Sequence, residues 1–209
     1  MHQPLRFLAR LASFLTLAAA AASAPVWAAT TTYTDSASFL AAIAPGAFNN
    51  TFTGVEDSAT SYSYSGGGFG YTVAAPGDVY LSGSFIGNNT DNDTLTITFT
   101  TGNVTALGGN FFITDIGNSF QASAVTLTLS DGTTTTFTPS DETTAFRGFV
   151  STAAIVSLMM SAPGANLFNS LDNLTVGVAV PITLPEPGTW ALVALALGGL
   201  SLVRRQRAS

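Results

Sequence analysis

Between residues 29 and 184 the groups able to do chemistry are carboxylates, tyrosines and one guanidinium. The acids are Asp35, Glu56, Asp57, Asp78, Asp91, Asp93, Asp115, Asp131, Asp141, Glu142 and Asp172, set against Arg147 alone. Eleven negative charges and one positive charge make a formal −10 for this stretch. Three close carboxylate pairs stand out: Glu56-Asp57, Asp91/Asp93 and Asp141-Glu142. A glycosidase-type mechanism needs two carboxyls facing each other across a cleft, about 5–9 Å apart. Adjacent residues on a strand point to opposite faces, so sequence neighbours do not make such a pair. The only histidine is His2 and there is no cysteine, which removes Ser-His-Asp and Cys-His nucleophiles, the usual zinc sites and disulfides. The expectation is a non-enzymatic body.

What survives is cation binding by oxygen ligands and recognition of neutral partners. An acidic body with one arginine repels phosphate backbones, so no nucleic-acid partner is expected. Gly87-Asn88-Asn89-Thr90-Asp91-Asn92-Asp93-Thr94 concentrates side-chain oxygens. It reads either as an ordinary Asn/Asp turn or as a calcium loop using Asp91 and Asp93. Tyr62, Tyr64, Tyr71 and Tyr80 either stack on sugar rings or pack across strands. Both tryptophans, Trp27 and Trp190, fall in the terminal segments, which weighs against a tryptophan sugar platform. Arg147, between Phe146 and Phe149, reads as a structural ion pair or a ligand contact. Threonine runs such as Thr133–Thr136 raise ice binding as an alternative. Their spacing is that of ordinary strand alternation, without a long flat ladder.

These residues must be positioned by strands. Leu95, Ile97 and Phe99 alternate with threonines, as do Val125, Leu127 and Leu129. Asp131-Gly132 predicts a tight hairpin joining Ala124–Ser130 to Thr133–Thr138. Further strands are predicted at Thr31–Thr34, Phe48–Thr53, Phe69–Ala74, Val79–Ser84, Val104–Ile113, Ala145–Ser151, Ala154–Met160 and Asn173–Val180. One short helix is predicted, capped by Asp35 or Ser36, with Phe39, Leu40 and Ile43 as its apolar stripe and Pro45-Gly46 as its stop. The fold expected is all-β: a single antiparallel, jelly-roll-like β-sandwich over residues 29–180.

The two ends read as addresses. Arg6 and Arg10 precede the apolar run Leu11–Ala22, the layout of a secretory signal peptide over residues 1–28. The small-residue rule places cleavage between Ala28 and Ala29. After a linker at 181–184, Pro185-Glu186-Pro187 leads into an apolar segment, 189–203, with Trp190 near its start. Arg204, Arg205 and Arg207 follow, a basic tail that places it on the cytoplasmic side of the inner membrane. As a helix this segment reaches about 20 Å, short of the roughly 30 Å hydrocarbon core, so it spans only with bilayer thinning and arginine snorkelling.

The tripeptide, apolar helix and arginine cluster, in that order at the C-terminus, resemble the PEP-CTERM sorting signal of Gram-negative bacteria. The resemblance covers about residues 184–209. It implies an exported cell-envelope or extracellular-matrix protein, transiently held in the inner membrane and then processed by an exosortase, in bacteria that make exopolysaccharide. Phe146-Arg147-Gly148-Phe149, Ser151, Ile155 and Leu171-Asp172-Asn173-Leu174 resemble a pattern of PEP-CTERM envelope domains. The late acidic strand is similar to jelly-roll carbohydrate-binding modules, where such an acid helps hold a structural calcium. Carried over, that position is Asp172. The functional expectation is a surface or matrix protein associating with exopolysaccharide or a surface glycan. The alternatives are a carbohydrate-binding module with structural calcium, an ice-binding protein or a polysaccharide-acting enzyme.

Overall fold

Period-two alternation of apolar and hydroxyl residues builds the body, because it gives each strand one face to bury. The computed structural model describes residues 29–181 apart from Pro163. The signal segment with Ala28, the linker residues 182–184 and the sorting segment with Pro185, Glu186, Pro187, Trp190, Arg204, Arg205 and Arg207 lie outside the described residues. The strands are β1 (Thr30–Tyr33), β2 (Phe48–Asn50), β3 (Asp57–Gly66), β4 (Phe69–Leu81), β5 (Ile86–Asn88), β6 (Leu95–Phe99) and β7 (Ala106–Thr114). They continue as β8 (Phe120–Gln121), β9 (Val125–Leu129), β10 (Thr134–Phe137), β11 (Phe146–Ser151), β12 (Ser157–Ser161) and β13 (Phe168–Gly177), with one helix, α1 (Ser36–Ala41), after β1.

Every strand pairing is antiparallel, and one hydrogen-bonded path runs β1-β11-β7-β13-β5-β4-β6-β12-β9-β10. β2, β3 and β8 pair off it with β13, β4 and β7. The sheet curls. Leu107, Phe111, Phe149 and Leu171 from one half share a core cluster with Ile97, Leu127 and Leu158 from the other. At the far end Thr30 Oγ1 donates to Asp131 Oδ2 at 2.7 Å, tying the first strand to the β9–β10 turn. That turn is the Asp131-Gly132 hairpin read from the sequence, with Gly132 at φ 87° and Thr133 N donating to Asp131 Oδ1.

The curl is concentrated in β4. Its first part, Tyr71–Ala74, pairs with β6, while Val79–Leu81 pairs with β5. Between them lie Pro76, Gly77 and Asp78 (φ 70°), and the register with β3 shifts between Ala59 and Ser61. The sequence predicts two strands here because proline interrupts a ladder. Instead one strand bends at a bulge-like irregularity and changes neighbours there.

Other boundaries also moved. β13 starts at Phe168 rather than Asn173, since a bulge between Asp172 and Thr175, with Asn173 at φ 52°, resets the alternation that marks a strand. β3, β5 and β8 have no counterpart among the predicted strands, and Gly87-Asn88 of β5 stand in the stretch read as a turn or calcium loop. β3 alternates serine with tyrosine and lacks aliphatics, and β8 is two residues long.

Asp35 caps α1, accepting from Ser38 N at 2.8 Å. Phe39 and Ile43 are buried, but Leu40 is half exposed, so the apolar stripe is narrower than predicted. Phe39 lies on a cross-strand glycine pair, Gly108↔Gly148. A Cβ added at Gly108 would come within 2.9 Å of its ring, and one at Gly148 within 2.6 Å.

Cross-strand register also aligns threonines and serines that are scattered in sequence. One row runs Ser63↔Thr72↔Thr98↔Ser157 across β3, β4, β6 and β12. Another runs Thr96↔Met159↔Thr128↔Thr134 across β6, β12, β9 and β10. Thr126 and Thr136 hydroxyls lie 2.9 Å apart on the same face. Neither row contains an ionisable side chain. These are short rows on a curled sheet, the second interrupted by Met159.

Candidate functional site

Among the described residues an open cleft of about 320 Å³ is formed where β5 and β13 meet β4 and the β7–β8 loop. Its position follows from the bend in β4, which delivers Tyr80 to the β5 side. Tyr80, Phe85 and Phe168 supply aromatic wall, and the floor is polar. Thr114 Oγ1 and Ser170 Oγ, both buried, lie 2.9 Å apart at the β7–β13 register.

The β7–β8 loop, Asp115–Ser119, forms one rim. Asp115 Oδ1 accepts from Gly117 N at 2.9 Å and Ser119 N at 3.0 Å, and Oδ2 accepts from Gln121 Nε2 at 2.9 Å. The cleft's one carboxylate is thus spent on folding its own loop. Asn118, at φ 61°, donates from Nδ2 to Tyr80 Oη at 3.4 Å, and Ile116 stands 84% exposed beside it. Asn88 is buried; its amide is held by Asn169 N (2.5 Å) and the Thr90 carbonyl.

Of the four tyrosines singled out in the sequence, only Tyr80 lines this cleft. Tyr62 and Tyr64 sit on the inward face of β3, and Tyr64 faces Tyr71 across the β3–β4 ladder. Tyr71 is 1% exposed, with Asn50 Nδ2 on its hydroxyl at 3.0 Å, so it presents no open ring face. Tyr64 packs against Phe52 and Tyr71 with ring centroids 5.3 and 5.4 Å away. These three serve cross-strand packing. Burial raises the Tyr62 phenol to about 12, helped by the nearby Asp57 carboxylate, and burial also raises Tyr64. The Tyr71 phenol is pushed up as well, by burial.

Asp91, Asp93 and Asp172 are held by backbone. Asp91 Oδ2 accepts from Asn166 N at 2.8 Å and Asp93 Oδ2 from Gly77 N at 2.7 Å, pinning the β5–β6 loop to its neighbours. Asp172 lies at the β13 bulge, opposite Asn110, and accepts from Asn173 N at 2.6 Å and Asn173 Nδ2 at 2.7 Å. Partial burial, with the Glu142 charge nearby, holds its carboxyl above the usual range. Among the described residues no group of three or more His, Cys, Asp or Glu side chains is placed to hold a metal ion. Arg147 stands 3.6 Å over the centre of the Phe137 ring and donates to Phe146 O. Its partner is an aromatic face rather than the carboxylate expected from the sequence.

Phe168, Asn118, Thr114 and Ser170 were not singled out in the sequence. The run Asp115-Ile-Gly-Asn-Ser carries a readable turn signal, but nothing local shows that β13 closes the cleft opposite it. No family model, curated protein or solved structure matches the chain.

Proposed function

We propose that this is an exported, exosortase-processed envelope or matrix protein of a Gram-negative bacterium, whose body associates non-enzymatically with exopolysaccharide or a surface glycan. The carrying observation is the order Pro185-Glu186-Pro187, apolar 189–203, Arg204/Arg205/Arg207. Two prolines hold the recognition segment extended and non-helical beside the membrane, where a membrane enzyme reaches it. The tail then leaves with the anchor, as in other signals whose hydrophobic end is removed.

The body is consistent with this use. Ala29, the first residue after the proposed signal cleavage, already belongs to the folded unit: its N donates to Thr152 Oγ1 and its carbonyl accepts from Thr152 N. A body carrying eleven acids and one base favours uncharged partners over polyanions. The curled sheet, taken as a jelly-roll-like sandwich, is a stable carrier for loops and clefts, and calcium at Asp172 or at Asp91/Asp93 is the optional addition in the carbohydrate-module reading.

The test is intact-mass and C-terminal peptide analysis of the surface protein from an exosortase-positive host and from its exosortase deletion. The expected product begins at Ala29 and ends near Pro185-Glu186-Pro187, and it disappears in the deletion strain or with Glu186→Ala. Surface protein still carrying Arg204–Arg207 in the positive host refutes processing.

A further inference from the structure

We infer that the cleft between β4, β5, β13 and the β7–β8 loop is a binding site for an uncharged polyhydroxylated ligand, a neutral saccharide chain. This deepens, and rests on, the reading of the body as a glycan-associating protein.

The first argument is charge. Among the described residues Asp115 is the only carboxylate lining the cleft, and both of its oxygens are engaged by the β7–β8 loop and β8. Among the described residues no cationic side chain lines the cleft, so an anionic ligand finds no counter-charge there. A cationic ligand meets a carboxylate with three of its about four acceptor sites already filled. A neutral ligand meets neither cost.

The second argument is donor and acceptor supply. Thr114 and Ser170 share one hydrogen bond, and only one of the two hydroxyl protons can lie along it. Thr114 is 1% exposed and Ser170 0%, so this pair closes the base of the cleft and does not itself reach a ligand. At the rim the Tyr80 hydroxyl oxygen accepts from Asn118 Nδ2, which leaves its own proton to donate. Asn118 Nδ2 is turned to Tyr80 Oη, and its Oδ1 makes no hydrogen bond among the described residues. A hydroxyl donor and an amide acceptor on the rim suit a ligand whose every hydroxyl both donates and accepts.

The third argument is shape. Tyr80 and Phe168 line the same cleft as these polar groups, combining apolar rings with a few convergent polar atoms. Its volume of about 320 Å³ sits near the lower limit of ligand pockets, roughly 300–1,000 Å³. A second concavity among the described residues, about 430 Å³ near Leu40, Asn49 and Asn173, has a hydrogen-bonded Asn49 and a half-exposed leucine in its lining and one aromatic ring, Phe146.

The experiment is affinity electrophoresis of the full-length protein in mild detergent, through native gels holding dextran, soluble β-glucan, galactan or alginate. The expected result is retardation by at least one neutral polymer and none by alginate. Tyr80→Ala should weaken that retardation about tenfold. Asn118→Gly should also weaken it, and glycine accepts the φ of 61° without strain, so folding is kept. Circular dichroism confirms that each variant is folded. Retardation by a neutral polymer that both folded variants leave unchanged overturns the cleft and spares the glycan reading. Retardation by alginate alone overturns the neutral class while a polysaccharide role stands. No retardation by any polymer overturns both.

Discussion

Phe39 and the glycine pair beneath it make the packing of α1 on the sheet a quantitative question. The perturbation is Gly148→Ala. Its new methyl would stand 2.6 Å from Phe39 Cδ2 and 2.8 Å from Cγ, contacts that real Cβ atoms do not tolerate. Phe39 is fully buried, so its ring cannot swing into solvent without losing its packing on Phe146 and Tyr33. Overpacking of this kind costs about 1–3 kcal/mol, offset by about 0.4–1 kcal/mol because alanine restricts the unfolded chain. A net loss of ~1–2 kcal/mol in a body of this size is a fall of about 2–8 °C in Tm. The decisive comparison is Gly148→Ala in a Phe39→Ala background. Phe39→Ala alone costs about 3–5 kcal/mol. It removes both ring atoms in conflict and leaves Cβ at 3.1 Å. There Gly148→Ala should be near neutral, giving a coupling of ~1–2 kcal/mol between the two sites. The assay is urea unfolding followed by circular dichroism, with Gly177→Ala, whose nearest neighbour is the Ala47 methyl at 3.1 Å, as a milder control. An equal loss from Gly148→Ala with and without the Phe39 ring would refute the reasoning, because the cost would then lie in the backbone.

Tyr62 holds its proton in the fold to about pH 12, so its contribution is whole below pH 10 and is lost as pH climbs through 12. Tyr62→Phe should blunt alkaline unfolding across that window, read by circular dichroism; an unchanged profile would count against its burial. The raised Asp172 carboxyl has the same sign at acid pH: its contribution is whole below the unfolded carboxylate range and lost as pH rises. In chelator at pH 7, Asp172→Asn should therefore raise Tm. A calcium role predicts instead that wild type gains several degrees on adding calcium and that Asp172→Asn abolishes the gain. Asp35 has its carboxyl lowered by the Ser38 amide, so the cap's contribution is present at neutral pH and lost as pH falls through the folded value. Asp35→Ala should lower Tm at pH 7, with Asp35→Ser restoring most of it, and the gap between Asp35→Ala and wild type should close in acid.

Much of this protein is written in short-range pattern. Leu95-Thr-Ile-Thr-Phe99 and Val125-Thr-Leu-Thr-Leu129 declare strands because one face of each must leave water, and Asp131-Gly132 declares the hairpin of the second with Thr134–Phe137 because glycine alone takes its φ of 87° without strain. The absence of His and Cys between residues 29 and 184 needed no coordinates, nor did the PEP-CTERM-like tail. Pairing between distant strands is another matter, since period-two patterns are alike and do not name their partners. Only the tertiary structure bends β4 through Pro76 and Asp78 so that Tyr80 leaves the Tyr62–Tyr64–Tyr71 packing group for the cleft. It brings Ser170 to Thr114 across 56 residues, and it turns Arg147 to the Phe137 ring instead of an acid. Local sequence sets which face of a strand is apolar; long-range register and bulges decide which side chains meet there, because a shift of one residue exchanges the two faces.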